Sequence, residues 1–122
     1  MKTLLVVDDE VGISDALSEV LSDEGFLVLV ARNGKEGLER VAEKRPDLIL
    51  LDYMMPVVDG REMLKALQGD SAYRDIPVVM MSAISRSSLP PDCKPTAFLL
   101  KPFGIDRLLA VVGQLLGGPA KP

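Results

Sequence analysis

A chain of 122 residues, 48% of them hydrophobic and 26% charged, has the size and make-up of one ordinary globular domain and leaves little room for a second. Its net charge of -4 argues against a surface for phosphate backbones, because binding them needs a cluster of Lys and Arg that no segment supplies. The lone Cys93 excludes an internal disulfide, the lack of His removes the usual Zn²⁺ sites, and no apolar run reaches the roughly 20 residues that span a bilayer. A soluble protein of a reducing cytoplasm is expected, with no direct nucleic-acid or membrane partner.

In chain order, Met1-Lys2 leads without a cleavage site into the first apolar run, Leu4-Leu5-Val6-Val7. Ile13, Ala16, Leu17, Val20 and Leu21 then recur at helical spacing, and Gly25 stops that helix. The second run is Phe26 to Ala31. A second helix begins near Asn33, with Glu36 as in a capping box; it carries Leu38, Val41 and Ala42 inward and ends before Pro46. After the third run, Leu48-Ile49-Leu50-Leu51, Asp59 and Glu62 form another capping box, opening a helix with Met63 and Leu67 inside and a break at Gly69.

The fourth run is Val78-Val79-Met80-Met81 and the fifth Ala97-Phe98-Leu99-Leu100. Between them, Pro90, Pro91 and Pro95 leave Ser85 to Pro95 as a loop or one short turn. Ile105, Leu108, Leu109, Val112 and Leu116 line the last helix, so the domain is expected over 1–116, with 117–122 a flexible tail or linker stub.

The continuous apolar runs predict strands covered on both faces, and their alternation with helices predicts a doubly wound parallel sheet in the order 2-1-3-4-5. Ligands of such sheets sit beyond the C-terminal strand ends, where the order reverses between the first and third strands. The ends at that edge carry Asp8-Asp9, Asp52, Ser82 and Lys101-Pro102. Three gathered carboxylates repel one another by roughly 4 kcal/mol per pair at 4 Å and an effective dielectric of 20. Either one acid is protonated or a hard cation such as Mg²⁺ sits among them.

Each residue also has a plainer reading. Asp8 or Asp9 caps the first helix, Asp52 begins a turn, Ser82 caps a helix, and Lys101 is a solvated charge. Met54, Met55, Met63, Met80 and Met81 are packing residues, Asp59 is a cap, and Cys93 has no role.

With Val6-Val7-Asp8-Asp9-Glu10, Asp47 through Asp52-Tyr53-Met54-Met55-Pro56, Asp59-Gly60 and Phe98-Leu99-Leu100-Lys101-Pro102-Phe103 in view, the chain resembles a response-regulator receiver domain of two-component signalling, of the chemotaxis-regulator type. The resemblance covers nearly the whole chain and implies a flavodoxin-like fold. It implies that Asp52 accepts a phosphoryl group and that Asp8, Asp9, Asp52 and the backbone carbonyl of Met54 hold Mg²⁺. It further implies that Lys101 pairs with the phosphoryl oxygens, that Ser82 and Phe98 form the switch, and that a cis peptide precedes Pro102.

The donor would be a histidine kinase or histidine phosphotransfer protein, and an unidentified downstream protein would read the switch. The resemblance implies that the domain catalyses only its own phosphorylation and slow self-dephosphorylation. Two departures stand out: the fourth helix of the family is eroded by prolines, and apolar Met54 and Ile84, two residues beyond Asp52 and Ser82, suggest a long-lived phosphorylated form. The competing readings are an unphosphorylated pseudo-receiver that docks a partner, a small aspartyl phosphatase, for which Met54 stands where an acid is needed, and a flavodoxin, whose flavin phosphate Asp8-Asp9-Glu10 would repel.

Overall fold

The computed structural model describes residues 1–117. Its elements run β1 (Thr3–Val7), α1 (Val11–Asp23), β2 (Leu27–Ala31), α2 (Gly34–Glu43), β3 (Leu48–Asp52), α3 (Gly60–Gln68), β4 (Val78–Ser82), a single 3₁₀ turn (Arg86–Ser88), β5 (Ala97–Leu100) and α4 (Ile105–Leu116). All strands are parallel and lie in the order β2-β1-β3-β4-β5, as expected. The expected tail at 117–122 falls, beyond Gly117, outside the described residues. Among those described, no helix is long and apolar enough to cross a membrane.

Alternation along the strands divides the core. Leu5, Val7, Ile49, Leu51 and Met80 face α2 and α3, whereas Leu4, Val6, Leu50, Val79 and Met81 face α1 and α4. The strands β1, β3 and β4 are buried throughout. The edge strands are not: in β2 only Ala31 is buried, and in β5 only Leu99. The expectation of cover on both faces therefore holds for the centre of the sheet and fails at its edges, where a strand lacks one neighbour and the helices overhang incompletely.

Helical faces deviate in a consistent way. Ala16 and Ala42 are exposed, whereas Ser14 in α1 and Gly34 and Gly37 in α2 are buried. On α2 the helix approaches so closely that a Cβ on Gly37 would stand 2.9 Å from the Met63 sulfur, so small residues mark the contact. Ile105, expected inside, is 56% exposed, and Val111 takes an inward place on α4. The Asp59 and Glu62 capping box is complete. At Asn33 only half of the expected box forms: the Asn33 side chain accepts from Glu36 N at 2.8 Å, while the Glu36 carboxylate pairs with Arg40.

Candidate functional site

The parallel register sets the strand ends level. Val7 lies beside Leu51 and Asp52 beside Met81, so the residues that follow β1 and those that close β3 emerge at one edge. Carboxylate oxygens of Asp8, Asp9 and Asp52 there lie within 4.8 Å of one another. The Lys101 ammonium donates to Asp8 Oδ2 and to Asp52 Oδ1, each at 3.2 Å, from the loop after β5. The peptide bond between Lys101 and Pro102 is cis, as the resemblance implied.

Asp8 does not cap α1. The N-cap is Glu10, whose side chain makes no capping bond, while Asp8 Oδ1 accepts from Glu10 N at 2.9 Å in a local turn. That bond and the one from Lys101 occupy both Asp8 oxygens and hold the carboxylate in place. Asp9 is exposed at the rim.

Asp52 is nearly buried, with 7% of its side chain in contact with solvent. Burial, then the neighbouring Asp8, pushes its pKa from 3.8 to about 6, against the pull of Lys101. Burial acts to lower the Lys101 ammonium, but Asp52 and Asp8 outweigh it and hold the pKa above the ordinary value. Near pH 7 the site thus carries one cation among three acids, a residual negative charge that suits a further cation.

The remaining expected residues surround this core. Ser82 is buried at the end of β4, its Oγ accepting from Ile84 N at 3.1 Å. Phe98 is half-buried against the cluster that contains Leu89 and Cys93. Met54 is 68% exposed, unlike the buried Met63, Met80 and Met81, so the packing role expected of it is not filled. Cys93 is buried, and burial pushes its thiol pKa up, which leaves it inert. A groove of about 540 Å³ runs from Lys101 between α1 and α4, lined by Ile13, Val20, Phe103 and Leu108 among others.

Two features escaped the sequence. Gly60, read only as part of the Asp59-Gly60 pair, lies so close to the end of β3 that a Cβ would collide with the Asp52 carbonyl oxygen and stand 2.8 Å from the Tyr53 Cα. Arg61 reaches Asp92 across 31 residues, and no local pattern announces that pairing.

A five-stranded doubly wound sheet of this order, with an acidic cluster at its switch point, belongs to the flavodoxin-like class of folds. Within that class the sequence profile of the response regulator receiver domain matches residues 4–113, and the chain belongs to that family. Receiver domains are phospho-accepting signalling domains of two-component systems and not enzymes in the ordinary sense. The chain is 36% identical over 116 residues to the response regulator MprA of Mycobacterium tuberculosis, a match covering 93% of this chain and 50% of MprA. It thus spans about half the length of the curated relatives it matches.

Among solved structures, the chemotaxis response regulator CheY4 of Vibrio cholerae is similar at a TM-score of 0.88 and 31% identity, with 94% of this chain and 98% of that one covered. The response regulator TrrA of Thermotoga maritima, solved in complex with Mg²⁺ and BeF, is similar at 0.84 and 33% identity, with 94% and 99% covered.

Proposed function

We propose that this chain takes a phosphoryl group onto Asp52 from a histidine kinase or histidine phosphotransfer protein, with Mg²⁺ held by Asp8, Asp9, Asp52 and the backbone carbonyl of Met54. The observation that carries the reading is the convergence of Asp8, Asp9 and Asp52 within 4.8 Å around an ammonium that bonds two of them. An all-oxygen, partly buried donor set of this span fits a small hard cation that keeps several of its waters. The Mg²⁺ complex of TrrA supports the same fit. When bound, the ion supplies neutralisation of the charge on the transferred group.

The chain's own residues do the rest. An Asp52 carboxylate oxygen attacks phosphorus in line, the new O–P bond forming as the bond to the donor nitrogen breaks. Because a pKa of about 6 leaves Asp52 mostly ionised at neutral pH, the nucleophile is ready without a separate base. Lys101 already spans Asp8 and Asp52, so a modest swing brings its ammonium onto a phosphoryl oxygen. Ser82 uses its oxygen as an acceptor and retains its hydroxyl proton, which it donates to the phosphoryl group once the backbone at Ala83 and Ile84 moves inward. Phe98 then turns into the space left behind, and a partner reads the altered surface.

The test is to incubate the protein with acetyl phosphate and Mg²⁺ and to measure the intact mass. One added phosphate on wild type, absent from Asp52→Asn, is expected. A wild type that stays unmodified would leave docking without phosphorylation as the function.

A further inference from the structure

The segment that replaces the missing helix is not loose. From Ile84 to Pro95 it forms a strap whose Leu89, Cys93 and Pro95 are buried and whose far end is tied to α3. Arg61 binds Asp92 in a two-pronged pair at 3.2 and 2.7 Å, and Lys65 lies 3.5 Å from the same carboxylate. Gln68 Nε2 donates to the Lys94 carbonyl at 3.1 Å. The hydrogen bond from Arg61 holds the Asp92 carboxyl below its ordinary pKa, so the pair stays charged at neutral pH.

The same helix is seated against the acceptor. Gly60, one residue before Arg61, packs on the Asp52 carbonyl, and its N–H donates to the Tyr53 carbonyl at 3.0 Å. A closed frame results: Asp52, the start of α3, Arg61, Asp92, the strap, Ser82, and back through the pairing of β4 with β3. Ser82 runs directly into the strap through Ala83 and Ile84, and the strap is held to α3 at Asp92.

We infer that Arg61 and Asp92 are positioning residues: their ion pair holds the strap against α3 and restrains the inward closure of Ser82 through Ile84. The inference rests on the phospho-acceptor reading of Asp52. Lys65 shares the load, and screening by salt weakens the restraint because the pair is exposed.

The experiment compares wild type, Asp92→Asn, Arg61→Gln and the exchanged pair Arg61→Asp with Asp92→Arg. Acetyl phosphate labelling is followed by intact mass at about 0.05 M and about 1 M NaCl. In low salt the single variants should label roughly threefold faster than wild type, the scale of one well-formed exposed pair. High salt, which screens the acidic site alike in all variants, should bring the ratio of the Asp92→Asn rate to the wild-type rate down toward one, a response that a merely structural role would not produce. The exchanged pair should label more slowly than either single variant yet faster than wild type, because Arg at position 92 faces Lys65.

Amide hydrogen exchange of residues 83–89, measured without any phosphoryl donor, should be faster in Asp92→Asn. Equal labelling rates and equal salt responses in wild type and Asp92→Asn would overturn the positioning role. Unchanged exchange would overturn the restraint of the strap whatever Asp52 does. Absence of label from wild type would instead overturn the phospho-acceptor reading and the positioning role with it.

Discussion

Asp52 is costly to the fold because it is useful to the site. Its pKa is about 6 in the folded chain against 3.8 when unfolded, so between those values the folded protein holds a proton that the unfolded chain releases, and stability falls as pH rises. Below the unfolded value the cost is absent; above the folded value it is complete, on the order of 2–3 kcal/mol. Asp52→Asn should accordingly be more stable than wild type in urea titrations at pH 7.5 without divalent cations, and lose that advantage at pH 4. Equal stabilities at both pH values would contradict the raised pKa. Met54 and Ile84, 68% and 37% exposed, follow Asp52 and Ser82 by two residues and offer apolar side chains that position water poorly. We expect phosphoryl loss, followed by mass after removal of donor, to be severalfold faster in a variant carrying polar residues at both positions, at about a tenfold change per 1.4 kcal/mol.

Helix placement depends on where backbone approaches backbone. The start of α3 presses on the end of β3 at Gly60, and no side chain fits there. Gly60→Ala should cost about 2–4 kcal/mol in denaturation and slow labelling of Asp52, since relieving the collision displaces α3 or the acceptor strand. At Gly12, in the first turn of α1, an added Cβ would meet no atom within 4 Å. Gly12→Ala should stabilise by about 0.5–1 kcal/mol through helix propensity alone and leave labelling unchanged. The two substitutions make the same chemical change, so opposite signs would isolate the close approach as the cause. The element between β4 and β5 shows the converse: three prolines forbid a helix, and buried Leu89 and Cys93 with the Asp92 contacts fasten the chain in its place.

For the molecule as a whole, the residual negative charge at one sheet edge links cation binding to stability. Mg²⁺ that binds only the folded chain should raise the melting temperature, by the equivalent of about 1.4 kcal/mol at tenfold excess over Kd. The rise should shrink in Asp9→Asn, vanish with chelator, and weaken at pH 5, where a proton on Asp52 competes with the ion. A shift of the same size in Asp9→Asn would remove that carboxylate from the cation site.

Strand order, the helix boundaries at Asn33 and Asp59, the missing helix and the acidic edge were all legible in the sequence, because apolar runs, caps and prolines act through local geometry and the topology of a parallel sheet then fixes which ends meet. Side-chain faces were less so: Ala16 and Ala42 fit the helical period yet face water, whereas Gly34 and Gly37 are buried, since burial is decided by what packs opposite and periodicity registers only polarity. The collision awaiting any side chain at Gly60, the raised pKa of Asp52 and the bond from Arg61 to Asp92 exist only between residues far apart in the chain or brought together by a turn. Desolvation and contact across space have no signature along the sequence, and for those the folded arrangement alone was decisive.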